Sequence, residues 1–249
     1  MFNGVLVFNK PAGYTSHDVI AILRGITKQR RIGHGGTLDP MATGVLPVFF
    51  GSATKACDLL QEADKRYIAD LKLGISTDTQ DITGKVIREA PVNVTERDIN
   101  ENLYHFRGLI KQKPPMYSAV WKDGRRLYDI ARAGGEVERE ARDIVVYALV
   151  LTASKGDNTY TFDITCSKGT YIRTLLSDIG DYFSCGGTMT SLTRLSAGGF
   201  ELCDAVDFDT VERAMKEGSF AGLLRSVDSL FSHLAKVRLD KRAADRAKG

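Results

Sequence analysis

The sequence predicts an α+β fold built around a mainly antiparallel sheet flanked by helices. Three observations carry this reading. Strand-type segments outnumber helical ones, the links between them are too varied for a repeating βαβ unit, and two strands meet at a tight Gly156-Asp157-Asn158 turn. A length of 249 residues suits one large domain or a core with a modest appendage. With 43% hydrophobic and 26% charged residues, such a chain can bury a sizeable core without staples.

Taken in order, Val5 to Phe8 is a short apolar run ended by Asn-Lys-Pro-Ala-Gly, a buried strand followed by a turn. Ser16 is placed to cap a helix, with Asp18 in its first turn and Val19, Ile20, Leu23 and Ile26 on its apolar side. Lys28 to Gly44, basic and then glycine-rich, reads as a long ordered loop, and Val45 to Phe50 as a second apolar strand. Ser52 opens another helix, to about Leu60. Tyr67, Ala69, Leu71 and Leu73 alternate with Ile68, Asp70 and Lys72 at strand period, and Lys85 to Arg88 is a further strand. Thr95 with Asp98 forms a capping box. Ile144 to Ala153 and Tyr160 to Ser167 make the hairpin, and Ile172, Leu175, Leu176, Ile179 and Phe183 recur at helical spacing behind Thr170 as cap.

The first residues carry no basic leader or cleavage site, and no apolar run nears the roughly 20 residues that span a bilayer. A cytoplasmic protein is expected, with no membrane partner. Cys57, Cys166, Cys185 and Cys203 lie far apart with no Cys-x-x-Cys pair, which predicts reduced, structural thiols. Net charge is only +3, but it is grouped: Tyr104 to Arg132 holds seven basic residues against two acidic, whereas Ser76 to Asn102 holds three against six.

Several common machines are absent: no phosphate-binding Gly-x-x-x-x-Gly-Lys-Ser/Thr loop, no dinucleotide fingerprint, no Gly-x-Ser-x-Gly elbow, and four histidines without metal-ligand spacing. No cofactor and no metal are expected. The most unusual segment is Gly33-His34-Gly35-Gly36-Thr37-Leu38-Asp39-Pro40-Met41-Ala42-Thr43-Gly44. Its glycines permit positive φ and close approach, and Pro40 biases Asp39 toward an extended backbone that would aim its carboxylate. An Asp-Pro that merely starts a turn is the plain alternative, and His34 either bonds the loop or meets a ligand. Arg173, near the start of a helix, sits where the macrodipole disfavours a cation by roughly 0.3–1 kcal/mol. A facing carboxylate or phosphate explains it, as does simple solvation; Lys168, Gly169 and Tyr171 lie beside it. Tyr67 belongs to an alternating apolar set and suits the core as well as a site. Between Tyr104 and Arg132, aromatics (Tyr104, Phe106, Tyr117, Trp121, Tyr128) interleave with cations that include Arg125 and Arg126, a mixture suited to RNA or to a solvated loop over core rings.

Asn9-Lys10-Pro11-Ala12-Gly13-Tyr14-Thr15-Ser16-His17-Asp18, Gly33 through Pro47, Lys65-Arg66-Tyr67, and Cys166 through Leu175 together resemble the bacterial tRNA pseudouridine-55 synthases of the TruB type, in the family's order, from about residue 3 to residue 235. The resemblance implies a pseudouridine synthase fold, with a mainly antiparallel mixed central sheet and a thumb-like insertion at about 114–140 that clasps the T arm of tRNA. It implies that uridine 55 of the T-loop is isomerised without a cofactor, with Asp39 catalytic, Arg173 keeping Asp39 ionised and aimed, and Tyr67 stacking on the base. His34, Lys10, Tyr171, Leu195, Lys65, Arg125 and Arg126 are the RNA- and pocket-binding residues it suggests.

Gly35 stands where the family usually has Thr, and Met41 where it usually has Leu. The catalytic domain is expected over 1–235, with 236–249 beginning a C-terminal RNA-binding region whose PUA domain is missing. The enzyme is expected as a monomer. Two alternatives are a non-catalytic RNA-binding or tRNA-folding protein and an RNA-guided pseudouridine synthase.

Overall fold

A computed structural model describes residues 1–58, 63–122, 124–228, 240, 242–243 and 246. Its strands are β1 (Gly4–Lys10), β2 (Ile32–His34), β3 (Thr43–Phe50), β4 (Lys65–Leu73), β5 (Ile75–Thr77), β6 (Val86–Glu89), β7 (Gly108–Gln112), β8 (Trp121–Lys122), β9 (Arg125–Arg126), β10 (Arg142–Gly156), β11 (Thr159–Cys166), β12 (Gly187–Ala197) and β13 (Phe200–Glu201). The helices are α1 (Ser16–Thr27), α2 (Glu96–Asn102), α3 (Leu127–Arg132), α4 (Ile172–Tyr182) and α5 (Phe208–Glu217).

One sheet organises the chain in the order β1-β3-β12-β4-β11-β10-β7, with β2 on β3 and β13 on β12. Among the described strands only β12 and β3 pair in parallel, through Thr193↔Thr43 and Arg194↔Gly44. The α+β, mainly antiparallel architecture expected from the sequence is therefore the observed one.

Side-chain alternation explains why β1 and β3 are apolar throughout. Leu6, Phe8, Leu46, Val48 and Phe50 face a core shared with Val19, Ile20 and Leu23 of α1 and Val211 of α5. Val5, Val7, Val45 and Phe49 face the opposite side, against Ala53 and Phe200. Both faces are buried, so no polar alternation is required. In β4, by contrast, Tyr67, Ala69, Leu71 and Leu73 turn one way, into a core with Phe162 and Ile164 of β11 and Leu175, Leu176 and Ile179 of α4. That core carries α4 on its surface and so fixes where Arg173 begins.

Several boundaries differ from expectation. The cap of α1 is Thr15, not Ser16: Thr15 accepts from the Asp18 amide, and the Asp18 carboxylate accepts from the Thr15 amide, a complete capping box one residue earlier. Ser16 is freed for another task, described below. Lys28 to Gly44 is not all loop, because Ile32–His34 pairs with β3. Gly51–Ala56 is a 3-10 turn rather than a helix capped by Ser52, whose hydroxyl donates to Asn3; the expected end at Leu60 lies outside the described residues, as does the boundary at 235–236. Tyr171, not Thr170, caps α4, and the Thr170 hydroxyl donates to the Ser167 carbonyl. The capping box at Thr95 and Asp98 and the Asp157-Asn158 turn, both residues at positive φ, form as read.

The insertion leaves the sheet after Gln112 and returns at Arg142, which pair directly across β7 and β10. It holds the β8–β9 ribbon and α3. Among the described residues no helix is long and apolar enough to cross a membrane, and all four cysteines are unpaired.

Helix α4 meets β12 at glycines. A Cβ on Gly180 would lie 2.2 Å from the Gly187 amide nitrogen and 2.3 Å from the Gly186 carbonyl carbon. Backbone cannot swing aside as a side chain can. Gly180→Ala should therefore lower the unfolding free energy by about 3 kcal/mol, read as a lower urea midpoint; an unchanged midpoint would refute this close packing.

Candidate active site

The segment around Asp39 has several of its backbone groups held on both sides of the carboxylate. The Ser16 hydroxyl accepts from the Leu38 amide at 2.9 Å and donates to the Leu38 carbonyl at 3.3 Å. The Asp39 carbonyl accepts from the Ala42 amide, and the Pro40 carbonyl accepts from both the Gly13 amide and the Lys10 ammonium. Gly35 donates to Pro47. The loop is thus built as a rigid support, and its carboxylate points where the fold puts it.

Arg173 is the second residue of α4 and is 5% exposed. Its Nε lies 2.9 Å from Asp39 Oδ2, and its Nη2 donates to Asp39 Oδ1 at 3.3 Å. The same guanidinium donates to the Thr79 carbonyl at 3.0 Å and the Tyr117 carbonyl at 2.9 Å, and its Nη1 lies 3.5 Å from Asp81 Oδ2. The open question about its partner is settled in favour of a carboxylate, and there are two. Asp81 was not visible as a site residue in the sequence. It is 5% exposed, its other oxygen accepts from the Thr83 amide and the Thr79 and Thr83 hydroxyls, and its backbone bridges to Met189.

Charge balance here is not the simple one expected. Burial pushes the Asp39 carboxyl above its ordinary range; Arg173 and Lys10 oppose this, and Asp81 adds to it. A third of the Asp39 side chain remains open, yet desolvation outweighs the arginine. Arg173 restrains the rise rather than producing an ordinary, fully acidic carboxyl.

Tyr67 is 7% exposed and lies with the core residues of β4. Burial raises its phenol, while the Arg194 guanidinium beside the hydroxyl acts in the opposite sense. Tyr67 and Arg194 are direct cross-strand partners. Arg194 is 1% exposed and escaped the sequence reading because its strand has no clean period.

The remaining expected residues divide. Lys10 is fully buried, its ammonium donating to the Pro11, Tyr14 and Pro40 carbonyls, and burial lowers its pKa to about 8. Lys65 is also buried and donates to the Ala63 carbonyl. The cations of both hold backbone carbonyls. Tyr171 is half-buried, and the Gln112 side chain bonds both its amide and its carbonyl. Leu195 is half-buried at the bulge where β12 slips against β4. Arg125 is exposed on the β8–β9 ribbon, and Arg126 places its guanidinium 4.4 Å from the ring centre of Trp121, itself 60% exposed. This is a cation beside an exposed stacking surface. Among the described residues no group of three His, Cys, Asp or Glu is placed to hold a metal.

Comparison with known proteins decides the family. A model of the TruB family pseudouridylate synthase N-terminal domain matches residues 24–172, and one of the tRNA pseudouridylate synthase B C-terminal domain matches residues 173–232. The chain belongs to the TruB family of pseudouridylate synthases. Its chemistry is accordingly that of a pseudouridine synthase, an isomerase. Relatives named tRNA pseudouridine synthase B include one from Azoarcus sp. (strain BH72), 46% identical over 240 residues, covering 95% of this chain and 78% of the relative. Another, from Moorella thermoacetica (strain ATCC 39073 / JCM 9320), is 47% identical over 241 residues, covering 95% and 79%. In solved structures the fold is similar to a chain of a Cbf5-Nop10-Gar1 complex, with a TM-score of 0.78, 28% identity, and 98% of this chain and 66% of that one covered. An archaeal box H/ACA sRNP Nop10-Cbf5 complex gives a TM-score of 0.73 at 25% identity, covering 99% and 67%.

His34 supplies a prediction. Its ring stands edge-on to His17 at 5.4 Å, and its buried Nδ1 has no hydrogen-bond partner. Burial, then His17 and Arg194, lower its pKa from 6.5 to about 4. A folded-state value below the unfolded one means that the unfolded chain takes up the proton first. The contribution of His34 is complete above pH 6.5 and is lost as pH falls toward 4. His34→Gln should therefore flatten the fall in stability across that window, by up to about 3 kcal/mol at its acid end, measured as urea midpoints against pH. Parallel curves for the two proteins would refute it.

Proposed function

We propose that this chain converts uridine 55 in the T-loop of tRNA to pseudouridine, with Asp39 as the essential carboxylate. The observation that carries the reading is a partly exposed carboxylate on a backbone-pinned loop, held by a buried arginine at 2.9 Å. In this reaction the N1–C1′ bond breaks and a C5–C1′ bond forms. The C5 proton is lost and N1 gains one, so product and substrate are isomers and no cofactor is consumed.

A uridine stacked in a folded loop is out of reach and must be everted, which costs a few kcal/mol. Arg125, Arg126 and Trp121 of the insertion, at about 114–140, grip the T arm and supply part of that cost. Asp39 then acts on the sugar, as nucleophile at C1′ or as base toward it. Its raised pKa favours either role, since a more basic carboxylate is the better nucleophile and the better proton acceptor. Arg173 aims it, and Tyr67 lies under the turned base. The catalytic domain covers 1–235, and the enzyme works as a cytoplasmic monomer on free tRNA. Identities of 41–47% to proteins named tRNA pseudouridine synthase B disfavour the RNA-guided and the non-catalytic alternatives.

Purified protein incubated with an unmodified tRNA transcript should yield pseudouridine at position 55 and no free uracil; an unmodified T-loop after single-turnover excess of enzyme would sink the proposal. Asp39→Asn should abolish turnover with tRNA affinity within about threefold of the parent. Arg173→Ala removes an influence that lowers the Asp39 pKa, so the acid limb of its pH–rate profile should move to higher pH. An unmoved limb would mean that Asp39 is not the group titrating there.

A further inference from the structure

We propose that Arg194 is a positioning residue for the isomerisation, one buried guanidinium that locks the Asp39 loop and the Tyr67 phenol into a single geometry. The inference rests on the reading of Asp39 and Tyr67 given above and adds a residue that acts through them, bonded to backbone carbonyls rather than to the Asp39 carboxylate.

The geometry is specific. Arg194 Nε donates to the Val45 carbonyl at 2.7 Å, Nη2 to the Gly36 carbonyl at 3.1 Å and Nη1 to the Thr37 carbonyl at 3.5 Å. These acceptors flank Asp39 on both sides in sequence. The loop turns at Gly36 and Gly44, each at positive φ, and both turns close on Arg194. A Cβ at Gly44 would lie 2.2 Å from the Arg194 carbonyl oxygen, and one at Gly36 would touch Nη1 at 3.6 Å. Backbone and side chain of one residue thus hold the two ends of the loop that carries Asp39.

Arg194 also faces Tyr67 from the neighbouring strand. Its hydrogen bonds go to three carbonyls, and among the described residues no carboxylate forms an ion pair or hydrogen bond with it. A buried cation without an anion is an expensive way to fill a core. An apolar side chain would fill the space, but it could not span three carbonyls. A planar fork with five fixed donors can, whereas an ammonium offers three donors from one point.

The test uses the full chain with Arg194→Gln and Arg194→Lys, and with 3-fluorotyrosine at position 67 to report the phenol by fluorine NMR. Arg194→Gln should lower kcat about 100-fold, while the Kd for tRNA stays within about threefold, because misplacement of about 1 Å in reacting groups costs that much. Arg194→Lys keeps the charge and should recover about tenfold of the loss. The Tyr67 titration should move to higher pH in Arg194→Gln, a change that a purely structural filler would not cause. Parental kcat in a folded Arg194→Gln, a loss confined to KM, or an unmoved phenol titration would each overturn the proposal. If Arg194→Gln does not fold, parental kcat in Arg194→Lys overturns it and a tenfold loss supports it. Failure of the unsubstituted chain to modify tRNA would refute the activity, whereas the fluorine titration still reports on Arg194.

Discussion

The site depends on one cation shared between two buried or half-buried carboxylates. Arg173 lies between Asp39 and Asp81 and has its remaining donors on the Thr79 and Tyr117 carbonyls. Burial is the chief cause of the raised Asp39 pKa, and Asp81 adds to it, because two carboxylates facing one guanidinium leave an excess of negative charge. The same excess explains how a cation survives in the first turn of α4, where the helix dipole opposes it. Asp81 is tied down by threonines and a backbone amide, so the arginine cannot follow Asp39 without losing its other anchors. A fixed arginine and a fixed loop together define the carboxylate's position.

That arrangement is assembled across the whole chain. Residues 24–172 supply Asp39, Tyr67 and Asp81, and residues 173–232 supply Arg173 and Arg194. The division between the two matched segments falls inside the first turn of α4, yet β12 pairs with both β4 and β3 of the earlier segment. Every anion of the cluster comes from one side and both arginines from the other. The sheet and the site are therefore one construction.

Legibility in the sequence followed the locality of the signal. Thr95 with Asp98, the Asp157-Asn158 turn and the alternation in β4 are written in adjacent residues and were readable. Asp39 and Arg173 stood out because each is odd in its local context, a carboxylate before proline among glycines and a cation at a helix start. Asp81 has no such oddity: in Asp78-Thr79-Gln80-Asp81 nothing separates it from a turn, and only tertiary contact sets it apart. Strand β12 was missed because Thr188, Thr190, Ser191 and Thr193 break the apolar pattern, and the strand is buried by its neighbours rather than by its own hydrophobicity. Arg194 was hidden with it. Nothing local in the sequence shows that the ammonium groups of Lys10 and Lys65 turn inward onto carbonyls; only the fold does.

Gln112 and Arg142, where the insertion departs and rejoins, face each other across adjacent antiparallel strands. Their Cα atoms are then only about 5 Å apart, the span of an ordinary β-turn. Chain can be lengthened, shortened or exchanged between these two points with little disturbance to strand register. Beyond Tyr117, whose carbonyl holds Arg173, the insertion is in this sense a detachable fitting on a fixed chassis, free to change shape while the machinery beneath it stays as it is.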